Sequence, residues 1–555
     1  MGLIFSRSDL RLYLMAIPRP SSQIIPLSHL PTLFFVIGYP LFWLQLYLHT
    51  ASHGVTSPVA WILFSIAVVI VIARSAVQRS ASQRRSNLFC DTRLLRFARN
   101  DIFWLMAVGL VLIILGITAI ASLKPIHLLQ EFDCLAYHYT LPRQHLIVGS
   151  FALIPWSPFD LFLLPVDFAL SPFWFATVLP NKLPQFLIFL GTIGVSMRLT
   201  CALAGESRPW AGPVVALLIL GTHGFGIQMG TGMLDLALAY LFLASLDSLR
   251  TGQWFWAGLE FTFFFWSKPL MPLGMLVTAG IWILLFTWAR ASRWELVQAM
   301  VLKNWQRALA AFLILSVVVG GPFVAKSLYY AATPLYPLNP GLFGHWGKIE
   351  ATSSWASLVK AAQLCMATKN NYGHGVGCLA FVKHWWLLAV PEQGVNNAFD
   401  YPLGLSYLLM IGPFLFFLVK DILNRRFSPL SVLAAISWLL WWFSTQQSRF
   451  LYLPLLIIFM VTVTRFAKIS RTLLACLLVG LSLQAISLWG AHKADIRKWG
   501  LADVRDEDKQ LVELSRRNSN HEVDWPSHAV AYAQFPVRVT QENLPYSISP
   551  TMTKD

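Results

Sequence analysis

The feature of this chain that most constrains its fold is a series of long apolar runs separated by short basic connections. One run extends from Ala107 to Leu123 and another from Thr472 to Leu488. Each has nearly the length that a helix needs to cross about 30 Å of hydrocarbon, where a helix satisfies its own backbone hydrogen bonds. Only 12% of the 555 residues are charged, and 56% are hydrophobic. Because soluble domains carry about 25% charged residues, we exclude a water-soluble fold.

We predict an all-α polytopic membrane protein with about thirteen transmembrane helices, from run length and flanking charge. The predicted spans lie near residues 31–50, 58–74, 102–123, 183–203, 211–228, 232–249, 254–267, 269–289, 308–328, 403–420, 429–445, 450–465 and 472–491. The sequence contains no internal repeat and no inverted pair of interrupted helices, which argues against a repeat-built transporter.

The arginines and lysines predict which side of the membrane each connection faces, because cytoplasmic loops carry an excess of both. With a cytoplasmic N-terminus, the arginine-rich loop from Arg74 to Arg99 is cytoplasmic, and the later basic connections agree. We therefore predict an inner-membrane protein whose C-terminus is extracytoplasmic. This topology accounts for the net charge of +16. No basic helix or strand face with interleaved aromatic residues predicts nucleic-acid binding.

The same topology divides the chain into three parts. Residues 1–101 form an N-terminal hairpin of two spans with a basic cytoplasmic loop, residues 102–491 form the main transmembrane module, and residues 492–555 form a polar extracytoplasmic tail. Two large segments of the main module, 124–182 and 327–402, face outward. The tail is mixed in charge and contains several prolines, so we expect either a small appendage or a partly disordered end.

Three ionisable residues stand at predicted outer helix ends. Lys268 and Arg449 are basic residues on the side where such residues are rare. Each could be a snorkelling side chain at a short turn or a cation that binds an anion at headgroup depth. Asp235 could stabilise its helix through the macrodipole or serve as a functional acid. The residue patterns leave both alternatives open.

Cys365 and Cys378 both lie in the second outer segment, within QLCMATKNNYGHGVGC. In an oxidising compartment they could form a disulfide that contributes about 3 kcal/mol. The alternative is a metal site that includes His374, but this stretch lacks a second pair of ligands at zinc-like spacing. We therefore predict the disulfide.

The first outer segment begins with a polar stretch, EFDCLAYHYTLP, that contains Glu131, Asp133, Tyr137 and His138. On its own it is typical of a solvated loop with interfacial tyrosine and histidine. The order of the acids, the Tyr–His pair and Pro142 resembles the first outer loop of bacterial GT-C-type glycosyltransferases, relatives of protein O-mannosyltransferases and aminoarabinose transferases. Asp133 matches the signature acid of that loop.

The resemblance continues in later segments of the chain. Asp235 lies in MGTGMLDLALAYLF, Lys268 in FFFWSKPLMPL and Arg449 in QQSRFLYLPLL, and each segment is similar to a segment of the superfamily. GGPFVAKSLYYAATPLYPLNPGLFG resembles the proline-rich exit from a middle helix, although Ala332 and Thr333 stand where Gly-Asn is common. In the superfamily the acidic loop usually follows the first span, whereas here two additional spans precede it. Because two spans cross the membrane and return, the loop is still predicted to lie outside.

The resemblance implies a GT-C-type bundle and an inverting glycosyltransferase that uses a polyprenyl-phosphate-linked sugar donor. The sugar would pass to an extracytoplasmic glycan, lipid or protein acceptor, so the expected partners are donor, acceptor and membrane lipids. Asp133 would take the proton of the acceptor hydroxyl, and Lys268 and Arg449 would stabilise the lipid-phosphate leaving group. The supporting residues, which could also be linked to a metal or to the phosphate, would be Glu131, Asp235, Tyr137 and His138. Of these, His138 could orient the acceptor or bind a metal.

Metal dependence and reaction class stay open at this point. Asp133 and Asp235 could share Mg²⁺ or Mn²⁺, since hard oxygen ligands suit both ions, and some GT-C enzymes need a metal whereas others do not. One alternative function is a transporter or flippase of a lipid-linked saccharide, whose ionisable residues should lie near the bilayer midplane. Another is an oligosaccharide polymerase or ligase, for which the late outer segment supplies His345, His374 and His384.

Overall fold

The computed structural model describes most of the predicted membrane helices and parts of the outer segments. The described residues are 26–48, 59–71, 102–123, 133–154, 158–174, 182–205, 208–267, 305–334, 336, 377–390, 399, 401–424, 428–443, 446–466, 468–497, 522–523 and 538–539. The helices are α1 Thr32–Tyr47, α2 Val59–Val71, α3 Ile102–Ser122, α4 Thr140–Val148, α5 Pro165–Trp174, α6 Leu183–Ala204, α7 Ala211–Leu220, α8 His223–Met229, α9 Asp235–Arg250, α10 Trp254–Trp266, α11 Trp305–Val319, α12 Gly321–Ala331, α13 Cys378–Leu387, α14 Leu405–Leu423, α15 Pro429–Phe443, α16 Tyr452–Arg465 and α17 Arg471–Arg497. In the tail, β1 Glu522–Val523 pairs in parallel with β2 Arg538–Val539.

Several helices are long and apolar enough to cross a membrane. The six that qualify within the described part of the chain are Leu27–Tyr47, Ile102–Ser122, Leu183–Ala204, Leu405–Leu423, Ser448–Arg465 and Arg471–His492. Two bent pairs, α7 with α8 and α11 with α12, bring the number to as many as eight. The protein is therefore an all-α polytopic membrane protein, as predicted. The count of about thirteen spans stays a prediction, and the span predicted near 269–289 lies outside the described residues.

Two predicted spans are bent pairs of helices instead of single straight ones. Helices α7 and α8 meet at 74°, and helices α11 and α12 meet at 50°. At the first bend, the backbone N–H of His223 donates to the Leu403 carbonyl at 3.2 Å. At the second bend, Pro322 lacks an N–H, and a Cβ on Gly320 would lie 2.5 Å from the Trp266 ring. Proline and close backbone approach are ordinary causes of a helix break.

The first outer segment contains helices whose side chains are buried in the protein. Every residue of α5 is buried. Phe34 and Phe42 of α1 contact Phe173 and Phe168 of α5, with ring centroids 4.9 and 4.6 Å apart respectively. These aromatic contacts fix the outer segment on the first membrane helix, so α1 supports the region that contains the acidic loop.

Gly38 marks a close approach between α1 and α5. A Cβ there would overlap the Ala169 carbonyl oxygen and lie 2.9 Å from the Phe173 ring. We expect Gly38→Ala to lower the free energy of unfolding by about 1–3 kcal/mol, because the two helices must separate. The matched control is Gly116→Ala, whose Cβ would meet nothing within 4 Å. Denaturant titration in mixed micelles should show no loss for this control, and equal losses in both variants would contradict the packing argument.

An ionic cluster is buried where α1 begins and α9 ends. Nδ1 of His29 lies 2.9 Å from Glu260, and Nε2 lies 3.0 Å from Asp247. Glu260 also accepts hydrogen bonds from the hydroxyls of Thr32 and Ser248, at 2.7 and 2.8 Å. Because ionised carboxylates only accept hydrogen bonds, this geometry fits a charged imidazolium that donates from both nitrogens. The cluster ties α1 to α9 and α10.

Candidate active site

Asp133 stands at the start of a compact turn that leads into α4. Its backbone is helical, with φ −61° and ψ −33°, and the π-helical turn Cys134–His138 follows it. Tyr139, the next residue, is fully buried and stacks on Trp174 with ring centroids 4.1 Å apart. The Asp133 side chain is 21% exposed. The turn is therefore anchored in the protein, while the Asp133 carboxylate at its start is accessible to a ligand.

Arg449 reaches Asp133 from a distant part of the sequence. It lies in the 3-10 turn Ser448–Leu451, which precedes α16. Its Nη1 atom is 2.6 Å from Oδ2 of Asp133, and its side chain is 10% exposed. The backbone N–H of Ser448 donates to the Phe399 carbonyl at 2.7 Å and so holds the turn in place. The structure thus brings together the acid and the cation that the sequence singled out separately.

The Arg449 guanidinium has a defined orientation. Its Nε and Nη2 atoms donate to Oε1 of Gln447, at 3.4 and 3.2 Å. Its Nη1 atom also lies 3.6 Å from Sδ of Met233. A planar guanidinium that is fixed in this way is preorganised to bind an oxyanion, because its donors form a rigid fork.

Asp235 lies at the start of α9, two residues after Met233, and is buried. Nε2 of Gln228, in α8, donates to Oδ2 of Asp235 at 2.9 Å. An amide therefore holds the Asp235 carboxylate, which shares with Asp133 and Arg449 the surroundings of the Tyr137 phenol.

Tyr137 lies in the same polar neighbourhood, on the turn that follows Asp133. Its ring stacks on Phe159 with centroids 4.6 Å apart. Burial raises the pKa of the Tyr137 phenol well above its ordinary value, the Asp133 carboxylate adds to this effect, and the Arg449 guanidinium opposes it. The Tyr137 hydroxyl is therefore protonated near neutral pH, where it can donate a hydrogen bond but cannot act as a base.

His138 and Asp167 form a buried pair, and Asp167 was not predicted from the sequence. Nδ1 of His138 is 2.9 Å from Oδ1 of Asp167. The His138 ring also contacts the Tyr137 ring, with centroids 4.1 Å apart. Asp167 occurs in the apolar stretch LLPVDFAL, within α5. An acid inside such a stretch is the signal that could have identified it, because a buried charge needs a partner.

Several predicted residues cannot be placed. Glu131, Lys268 and Cys365 lie outside the described residues, as do His345 and His374. Cys378 is the exposed first residue of α13. The disulfide and the role of Lys268 therefore stay predictions.

The two carboxylates fit a resident metal ion poorly. Among the residues that the structure describes, no group of three His, Cys, Asp or Glu side chains could hold a metal. Oδ2 of Asp133 is bound by Arg449, and Oδ2 of Asp235 is bound by the Gln228 amide. A divalent cation at Asp133 would have to lie beside the guanidinium and compete with it.

His384, in the second outer segment, has both ring nitrogens engaged. Its Nε2 accepts a hydrogen bond from the Trp438 indole N–H at 3.2 Å, and its Nδ1 donates to the Phe381 carbonyl at 2.5 Å. Burial lowers the pKa of His384 to about 4. The ring is therefore neutral and hydrogen-bonded inside an aromatic cluster, which is a structural role and gives no support to a polymerase site there.

No protein-family model and no curated protein sequence matches this chain. Among solved structures, the chain is similar to the crystal structure of ArnT from Cupriavidus metallidurans bound to undecaprenyl phosphate. The match covers 79% of this chain and 86% of that one, with 12% sequence identity and a TM-score of 0.44. At this identity and TM-score the similarity assigns no residue roles, which rest on this chain's own geometry.

Proposed function

We propose that this protein is an inverting GT-C-type glycosyltransferase that takes a sugar from a polyprenyl-phosphate donor. The acceptor is an extracytoplasmic glycan, lipid or protein. The observation that carries the proposal is the ion pair between Asp133 and Arg449, 2.6 Å long and partly exposed at helix ends. It combines, in one place, a carboxylate that can accept a proton and a guanidinium that can bind a phosphate.

The Asp133 carboxylate serves as the general base. Arg449 contacts its Oδ2 atom, and in the described part of the chain Oδ1 makes no hydrogen bond, so Oδ1 is the atom that receives the proton. As the acceptor hydroxyl loses its proton to Oδ1, its oxygen bonds to the anomeric carbon of the donor. The bond from that carbon to the phosphate oxygen breaks, and its electron pair leaves with the lipid phosphate. Attack opposite the leaving group inverts the anomeric configuration.

Arg449 stabilises the phosphate charge that develops in this step. A charge-assisted hydrogen bond from a preorganised donor is worth most where water is excluded, and the Arg449 side chain is only 10% exposed. The protonated Tyr137 hydroxyl adds a neutral donor in the same neighbourhood. Lys268, predicted at the same membrane face, would supply a second cation.

The proposed transfer can be separated from transport of the same lipid by one assay. Purified protein is reconstituted in liposomes with a radiolabelled undecaprenyl-phosphate sugar and an envelope extract as the source of acceptors. We expect the label to leave the lipid and appear in acceptor material. Intact labelled lipid that crosses to the other leaflet, with no label in acceptors, would contradict a transferase and support a flippase.

Arg449→Lys should reduce turnover about 10- to 100-fold, because a lost hydrogen bond to a charged group is worth about 1.5–3 kcal/mol. Lysine keeps the charge but loses the planar fork. The matched control is Arg465→Lys, at the opposite end of α16, where Arg465 binds Asp421 through two bonds of 3.1 and 2.6 Å. Initial rates of sugar transfer should fall in the first variant alone. Equal rates in both variants would remove Arg449 from the mechanism.

A further inference from the structure

The first outer segment contains two buried His–Asp pairs with different surroundings. In one pair, Nδ1 of His138 lies 2.9 Å from Oδ1 of Asp167. In the other pair, Nε2 of His145 lies 2.6 Å from Oδ1 of Asp160. All four side chains are more than nine-tenths buried. The two pairs differ in whether every polar atom has a hydrogen-bond partner within the protein.

The His145–Asp160 pair is hydrogen-bonded on all sides. Nδ1 of His145 lies 2.8 Å from the Ser150 carbonyl. Oδ2 of Asp160 accepts from Nζ of Lys326 at 2.7 Å and from the backbone N–H of Ile154 at 2.6 Å. Burial alone would raise the pKa of Asp160, but His145 and Lys326 outweigh it and lower the pKa below the ordinary value. With every polar atom engaged, this pair joins the outer segment to α12 and offers nothing to a substrate.

The His138–Asp167 pair differs at the second ring nitrogen. Within the described part of the chain, Nδ1 bonds to Asp167 and Nε2 has no hydrogen-bond partner. A carboxylate that accepts the Nδ1 proton selects the tautomer whose lone pair is on Nε2. The adjacent Tyr137 ring connects His138 to the neighbourhood of Asp133 and Arg449.

The chemistry of Nε2 indicates the kind of group that it would bind. In this tautomer Nε2 only accepts hydrogen bonds, and the oxygens of a phosphodiester also only accept, so the donor phosphate does not fit. A hydroxyl is a donor and does fit. The acceptor substrate of a glycosyltransferase carries such a hydroxyl and has to be oriented towards the general base.

We propose that His138 binds a hydroxyl of the acceptor substrate through Nε2, and that Asp167 is the positioning residue that holds the His138 ring and its tautomer. This inference rests on the proposed glycosyltransferase function. It divides the site into a phosphate side at Arg449 and a hydroxyl side at His138, with Asp133 acting on the reacting hydroxyl.

The test compares acceptor and donor kinetics in three variants. His138→Phe/Asp167→Leu removes the pair together, which avoids a buried carboxylate without a partner and keeps a ring beside Tyr137. Asp167→Asn keeps the volume and removes the charge. Asp160→Asn, in the fully bonded pair, is the matched control. We expect kcat/KM for the acceptor to fall about tenfold or more in the double variant and less in Asp167→Asn, as expected for a lost hydrogen bond.

The donor KM should change by less than about twofold in all three variants, because no phosphate contact is altered. Asp160→Asn should lower the melting temperature and leave the acceptor KM unchanged. Two results would overturn the role of His138. One is a donor KM that rises as much as the acceptor KM in the double variant. The other is a loss of acceptor kcat/KM in Asp160→Asn as large as the loss in the double variant. Either result leaves the proposed function intact when wild type transfers sugar and Asp133→Asn does so at least about 100-fold more slowly. Absence of transfer by wild type would instead overturn both.

Discussion

Asp133→Asn should transfer sugar at about one-hundredth to one-thousandth of the wild-type rate, because a positioned general base contributes about 10²–10⁴ to a rate. Asparagine has nearly the same shape, and its amide oxygen can still accept a hydrogen bond from Arg449. It cannot take the proton of the acceptor hydroxyl. It leaves the Arg449 guanidinium free of its counter-charge and able to bind the donor phosphate, so kcat should fall while donor KM does not rise.

The matched control for Asp133→Asn is Asp421→Asn. Asp421 forms the equivalent carboxylate–guanidinium pair with Arg465, at the other end of α16. Initial rates per folded molecule should be unchanged in this control. An Asp133→Asn enzyme that works within about threefold of wild type would show that another group accepts the proton.

Glu260→Ala should lower the free energy of unfolding by about 3–5 kcal/mol, the cost of breaking a buried ion pair by removing one partner. Glu260 is fully buried and is bonded to His29, Thr32 and Ser248. Its loss leaves a charged imidazolium with one carboxylate, two hydroxyls without their acceptor, and a cavity. Denaturant titration in mixed micelles measures the change.

The control for Glu260→Ala is Arg198→Ala in the same cluster. Arg198 binds Asp247 at 2.9 Å, but its side chain is 37% exposed, so its removal should cost only about 0–1 kcal/mol. Asp247 and Asp235 are twelve residues apart on α9, which corresponds to roughly 18 Å along a helix. Transfer per folded molecule should therefore be unchanged in both variants. An equal free energy of unfolding in Glu260→Ala and Arg198→Ala would contradict the conclusion that the buried partner contributes more to stability than the exposed one.

Run length and charge predicted the uniform membrane helices closely. The span predicted at 102–123 is the helix Ile102–Ser122, and the span predicted at 183–203 is the helix Leu183–Ala204. These helices could be predicted because apolar length is a local property of the sequence. The bend after α7 could not be predicted in this way. At this bend the His223 N–H donates to the carbonyl of Leu403, which lies far along the chain.

The candidate site was predictable in its parts and not in its assembly. Arg449 was identified because basic residues are rare on the predicted outer side and because its segment is similar to one of the superfamily. Asp133 was identified by the resemblance of its loop alone. Their contact depends on packing between distant segments, which no local pattern encodes. Asp167 and Glu260 were missed because the histidine that balances each acid, His138 or His29, lies elsewhere in the sequence and no local pattern connects the two.

The central claim is that Asp133 lies at an extracytoplasmic site that binds a lipid phosphate. It is tested most directly by thiol labelling of Asp133→Cys in oriented vesicles, with a membrane-impermeant maleimide and wild type as the background. Ala152→Cys, an exposed position in the same outer segment, is the control. We predict that both cysteines react from the extracytoplasmic side and that undecaprenyl phosphate protects position 133 but not position 152. Labelling of position 133 from the cytoplasmic side alone, or equal labelling with and without the lipid, would contradict the account.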